Sequence, residues 1–179
     1  MAVLSVYLDA SGSVIDPKCR MFTIAGYLAT DEQWEAFENE WQRALDDAGI
    51  THLHMKHFAH SRGEFQGWKG DEQRRARFLQ RLTDIIISHE LEDFSVVLNM
   101  EHYRTVDKYF KMTESLGAYA MIAGTAIGQI QAWHSRYRRA DSLLFLLEKG
   151  DAQQDSLRKL AERTGLQSDL EPIFISKAL

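Results

Sequence analysis

Two carboxylates of the sequence each follow a short apolar run that is typical of a buried strand. Asp9 ends the run 2–8, and Glu148 ends the run 143–147. If the two strands are neighbours, both side chains emerge at the same edge of one sheet. Such a pair could hold Mg²⁺ or Mn²⁺, since both ions prefer oxygen ligands and leave positions for a substrate phosphate. The alternative is that each acid is simply solvated where its strand ends.

A third acid, Asp151, follows Glu148 by three residues and could complete a metal-binding cluster. The segment 151–154 also has the form of a helix N-cap, with a glutamine at the position that reaches back to the cap. The two roles are compatible, and the sequence leaves both open.

Four of the seven histidines lie close together, at positions 52, 54, 57 and 60. A zinc site is conceivable, but the spacing matches no standard ligand pattern and no cysteine completes it. We therefore favour a single histidine, His54, acting beside the carboxylates, and keep structural zinc as the alternative.

Basic residues with interleaved aromatics form two local clusters. Between residues 62 and 81, six basic residues stand against three acidic ones, and a second cluster covers 134–139. Cations neutralise phosphates and aromatic rings stack on bases, so this composition suits a single-stranded or flexible nucleic acid. The alternative is that these charges are the solvated faces of helices. The candidate nucleic-acid contacts are Arg62, Lys69, Arg74, Arg75, Arg136 and Arg138.

Composition limits the class of protein. The 179 residues carry 21 Lys+Arg and 26 Asp+Glu, a net charge of −5, with 45% hydrophobic residues. This acidic balance argues against a protein that binds nucleic acid over its whole surface. One cysteine excludes an intrachain disulfide, no apolar run is long enough for a membrane helix, and the start lacks a signal peptide's basic region. We expect a cytoplasmic protein.

The elements that must position these residues alternate along the chain. Apolar runs predict strands over 2–8, 21–28, 53–55, 94–100, 142–147 and 172–175, the first of them central and covered on both faces. Helical spacing predicts helices over 30–48, 71–88, 115–133 and 151–163. The order indicates one α/β domain over residues 1–179, with a mixed sheet flanked by helices.

Several stretches resemble a known family. The matching segments are YLDASG at 7–12, FTIAG at 22–26, LHMKHF at 53–58, GEFQGW at 63–68, LEKGD at 147–151 and PIFISK at 172–177. Together they resemble the domain-of-unknown-function 3800 family across nearly the whole chain. The resemblance implies a ribonuclease-H-like fold and metal-dependent phosphodiester chemistry, with Asp9 and Glu148 as acids of the site.

Three departures from the family pattern imply a weakened site. Ala10 stands where the family signature commonly has Glu, and His57 stands where an Asp is usual. The family's last helix, which carries a further Asp, is not found before Leu179. We therefore expect weak activity and, because a missing helix would bare an apolar sheet face, a homo-oligomer. The alternative is an inactive nucleic-acid-binding or protein-interaction module, related to phage defence or mobile elements.

Overall fold

The computed structural model describes residues 2–138, 140–148, 154–164 and 173–175. These residues form two compact units, each with its own hydrophobic core. Met1–Thr30 and Leu91–Leu179 make up the sheet unit, and Asp31–Glu90 make up the helical unit.

Five strands form the sheet among the described residues, in the order β3-β2-β1-β4-β5. Their bounds are β1 Val3–Ser11, β2 Met21–Thr30, β3 Glu92–Asn99, β4 Ser142–Glu148 and β5 Ile173–Ile175. β2 pairs antiparallel with both β1 and β3, whereas β4 pairs parallel with β1 and β5. The predicted α/β class, the mixed sheet and the first hairpin are confirmed.

Helices of the sheet unit cover one face of that sheet. Their bounds are α4 Met100–Phe110, α5 Met112–Ser115, α6 Ala118–Tyr137 and α7 Gln154–Thr164. α6 packs on β2, β3 and α7, and its small residues permit the close approach to α7. A Cβ added at Gly124 would lie 2.9 Å from Leu160 of α7. The small residues therefore serve helix packing, as the sequence indicated.

The opposite face of the sheet is exposed over part of its middle strands. In β1, Leu4, Val6 and Leu8 are buried in the core, whereas Tyr7 and Asp9 are exposed. The prediction that β1 is covered on both faces is therefore wrong for the second half of the strand, at Tyr7 and Asp9. The error arose because Tyr7 is apolar enough to hide the alternation that marks a half-exposed strand.

The helical unit holds α1 Asp31–Ala48, α2 Met55–Ala59, a 3₁₀ helix at Gly63–Trp68 and α3 Glu72–His89. α1 and α3 pack together. Residues 52–54 have no regular structure, so the predicted strand at 53–55 is wrong. An aromatic cluster fills this part of the core, and its members are Phe58, Phe65, Trp68 and Phe78.

Candidate active site

The parallel pairing of β1 and β4 brings the two predicted acids together. Leu8 pairs with Leu147, and Asp9 and Glu148 are the next residues of their strands. Adjacent strands lie about 4.8 Å apart, and parallel strands carry equivalent positions on the same face. Both acids also line a single cavity, and Asp9 is exposed where its neighbour Leu8 is buried in the core, so the two acids lie on the face opposite that core.

Two rows of paired residues cross this open face. The first row runs from β3 to β5 through Asp93, Tyr27, Tyr7, Leu146 and Ile173. The second row is its neighbour toward the carboxyl ends of β1 and β4. Its members are Ser95, Ala25, Asp9, Glu148 and Ile175. Asp9 and Glu148 thus lie in the row next to Tyr7 and Tyr27, which are paired on the adjacent strands β1 and β2.

A cavity of about 550 Å³ lies over these two rows. Its aromatic and aliphatic walls come from Tyr7, Tyr27 and Leu146, while Ala25 and Ser95 contribute only small side chains. This volume falls within the range of small-molecule sites. The concavity is large enough for a group the size of a nucleotide base with its sugar.

The cavity carries negative charge. Asp9, Asp93 and Glu148 line it, and its described lining contains no lysine or arginine. Asp93 was not predicted from the sequence, although Asp93 and Ser95 alternate with Phe94 and Val96 in the pattern of a strand with one polar face. The field in this cavity therefore attracts cations and opposes an uncompensated phosphate.

The backbone around Asp9 orients its carboxylate. The Ala10 amide donates a 2.8 Å hydrogen bond to Asp9 Oδ1. Ala10 itself packs against the covered core. An acid at position 10, as in the family signature, would therefore start from the covered face of this sheet rather than the cavity side.

The remaining predicted site residues are Asp151 and His54. Asp151 lies outside the described residues. His54 belongs to the helical unit, where its ring lies 4.9 Å from that of His52 and 5.1 Å from that of His57. Among the residues that the structure describes, no group of three or more histidine, cysteine or acidic side chains is arranged to hold a metal ion.

Two of the candidate nucleic-acid contacts are engaged within the helical unit. The Arg74 guanidinium lies 4.0 Å from the centre of the Trp68 ring and donates to the Ala48 carbonyl. Arg75 lies 4.4 Å from the Phe58 ring and donates to the Phe58 carbonyl at 2.8 Å. These contacts give both arginines a structural role in packing the aromatic cluster.

The other basic candidates differ in position. Arg62 and Lys69 are exposed on the helical unit. Arg136 and Arg138 lie at the end of α6, and Arg138 forms an ion pair with Asp141. Asp141 also accepts a hydrogen bond from the amide of Ala2, which precedes β1. Asp9 lies seven residues further along β1, about 23 Å at 3.3 Å per residue. The α6 arginines are thus at the opposite end of the strands from the acids.

None of the helices described here is both long and apolar enough to cross a membrane. Comparisons of the chain with protein-family models, with curated proteins and with solved structures found no match. The candidate function therefore depends on the geometry of the cavity.

Proposed function

We propose that this chain is a metal-dependent phosphodiester hydrolase of ribonuclease-H-like type that acts on nucleic acid. The observation that carries the proposal is the position of Asp9 and Glu148, on adjacent parallel strands and in one cavity. A mixed sheet flanked by helices is also the architecture that the family resemblance implied.

The donor set fits one hard divalent cation. Mg²⁺ is commonly held by one or two carboxylates, with water and phosphate oxygens completing its coordination shell. Asp9 and Glu148 would supply those carboxylates. When bound, such an ion would act as a Lewis acid on a phosphate and would activate water.

The protein's own residues would make substrate binding depend on the cation. Three carboxylates and no described lysine or arginine line the cavity, so a phosphate alone is repelled there. The Ala10 amide holds Asp9 Oδ1 in place, which reduces the reorganisation that metal binding requires. Together these features favour a ternary arrangement of acids, cation and phosphate.

Turnover should be slow. Two-metal sites need several acids to offset the charge of two cations about 4 Å apart. Asp93 lies on β3, two strands from Asp9 on β1, a separation of roughly 10 Å. Asp93 therefore does not share an ion with Asp9, and the described cavity offers two adjacent carboxylates for one cation.

The second candidate is a binding module of the same ancestry without catalytic activity. It is favoured by the lack of any described group of three metal-ligating side chains. In this case the acids would hold a cation that bridges to nucleic acid, and no phosphodiester bond would break.

The test is cleavage of single-stranded RNA and DNA by the full chain in Mn²⁺, in Mg²⁺ and in EDTA. We expect slow cleavage that requires the metal and is lost in both Asp9→Asn and Glu148→Gln. Glu114→Gln serves as a matched control, because Glu114 is an exposed acid of α5 that does not line the cavity. Cleavage that survives in Asp9→Asn would contradict the proposal, and no cleavage under any condition would favour the binding module. A His54→Asn variant tests the predicted participation of that histidine.

A further inference from the structure

The tyrosine pair beside the acids is the feature of the cavity that phosphodiester chemistry does not use. Tyr7 and Tyr27 are directly paired across β1 and β2, and both side chains line the cavity. Tyr7 is 40% exposed and Tyr27 is 37% exposed. Large aromatic side chains at the centre of a sheet ordinarily lie under another layer of the protein. Tyr7 and Tyr27 instead stay partly exposed, and their rings form an accessible aromatic surface.

We propose that the cavity binds an unpaired nucleobase of a single-stranded nucleic acid, stacked against Tyr7 and Tyr27. Every base has a π-face, and stacking on aromatic side chains is how single strands are commonly bound without sequence readout. The cavity volume of about 550 Å³ accommodates a base and its sugar. This inference rests on the proposed function, since it concerns the strand whose phosphate lies at Asp9 and Glu148.

The order of the two rows gives the bound nucleic-acid strand a direction across the sheet. The tyrosines occupy the row that precedes the acidic row, so a base on the tyrosines lies next to the position of a phosphate at the acids. Neighbouring rows are two residues apart along each β-strand, a distance of about 7 Å. This spacing is close to the distance between a base and its neighbouring phosphate. Base binding and phosphate positioning can therefore involve the same nucleotide.

The charge of the walls favours a base over an aliphatic ligand. Asp93 pairs with Tyr27 from the other side of β2 and also lines the cavity. An ionised carboxylate is a hydrogen-bond acceptor only, and the amino groups of adenine, cytosine and guanine are donors. A fatty chain would instead bring apolar groups against three carboxylates, which is unfavourable.

The test is fluorescence anisotropy with the full chain and a labelled single-stranded DNA octamer in Ca²⁺, so that the carboxylates are compensated. A second octamer of equal charge has abasic sites at its internal positions. We expect the abasic octamer to bind more weakly, and the double substitution Tyr7→Ala with Tyr27→Ala to weaken binding of the normal octamer by about 5- to 150-fold. The double substitution to Phe should retain binding, which also controls for a folding defect.

Tyr109→Ala is the matched control, because Tyr109 is 79% exposed on α4 and lies outside the cavity. Equal affinity for the two octamers, or unchanged affinity in the double alanine variant, would overturn the inference. A fall in oligomer size in that variant, with no change in octamer binding, would also overturn it, since a second copy would then cover this face.

The outcomes separate this inference from the proposed function. Base-dependent binding without any cleavage in Mn²⁺ would remove the hydrolase and leave the base site. Cleavage that is equally fast on both octamers would keep the hydrolase and remove the base site.

Discussion

Asp9 and Glu148 occupy equivalent positions on two adjacent parallel strands, one residue beyond the paired Leu8 and Leu147. Their side chains line the same cavity. Like charges at paired positions of neighbouring strands are destabilising, so we expect this pair to lower the stability of the protein when no cation is bound.

Removing one of these charges should stabilise the metal-free protein. We expect Asp9→Asn to raise the free energy of unfolding in EDTA by roughly 0.5 kcal/mol, because like charges on paired positions are destabilising. Asparagine still accepts the hydrogen bond from the Ala10 amide. Urea denaturation of the variant and of wild type measures the change. A less stable Asp9→Asn protein would show that the acids do not repel each other in the fold.

Gly26 should tolerate no side chain. A Cβ at this position would meet the carbonyl oxygen of Tyr7 well inside contact distance and lie 2.9 Å from Leu8. Gly26→Ala should therefore force β1 and β2 apart and destabilise the protein by about 3 kcal/mol or more. Gly67→Ala is the control, since a Cβ there meets nothing within 4 Å. Equal urea midpoints for the two variants would contradict this account of the hairpin.

Arg75 should matter for stability rather than for binding. Its side chain is only 13% exposed, and it donates to the Phe58 carbonyl at 2.8 Å and to Ser61 at 3.0 Å. Arg75→Ala should lower the free energy of unfolding by about 2 kcal/mol, because these bonds and the stacking on Phe58 are lost. Arg62→Ala, at an exposed arginine, should change it by less than about 0.5 kcal/mol. Thermal denaturation of both variants distinguishes the two roles.

Glu64 should contribute a pH dependence to the helical unit. The hydroxyl of Thr51 donates to its carboxylate at 2.6 Å, and with the Thr51 amide it lowers the pKa of Glu64 from its ordinary value of 4.5. A lowered folded-state pKa gives stability that is present above the unfolded-state pKa. That stability is lost as the pH falls through the folded-state pKa, so acid should weaken this contact.

The NMR titration of the Glu64 carboxyl checks this prediction directly. Thr51→Val removes the hydroxyl donor and should move the pKa of Glu64 back toward its ordinary value. Thr51→Ser keeps both donors and should leave the pKa low. A pKa that is the same in all three proteins would show that this hydrogen bond does not form in solution.

Much of the sheet unit was predictable because its strands are marked by short sequence patterns. The apolar runs of β1, β2 and β4 are bounded by polar residues or turn signals, and the short gap between β1 and β2 predicts their hairpin. α4 was missed because residues 100–110 are mostly polar. Its signal was the cap, since the Asn99 side chain accepts from the amides of Glu101 and His102.

The site was predictable only in part because strand register is a tertiary property. Asp9 and Glu148 could be identified because each follows an apolar run. The facing of Tyr7 and Tyr27 depends on the pairing of β1 with β2, and the place of Asp93 depends on β3 as well. Charge counting likewise could not show that Arg74 and Arg75 lie against aromatic rings.

The most direct test of the acidic pair is Mn²⁺ binding measured by electron paramagnetic resonance of the free ion. We expect wild type to bind one Mn²⁺ per chain, because two adjacent carboxylates and no described basic residue line the cavity. The Asp9→Asn and Glu148→Gln variants should each lose this binding, whereas Asp93→Asn should keep it. Unchanged binding in the Asp9→Asn, Glu148→Gln double variant would contradict the account, since the cation would then be held elsewhere in the chain.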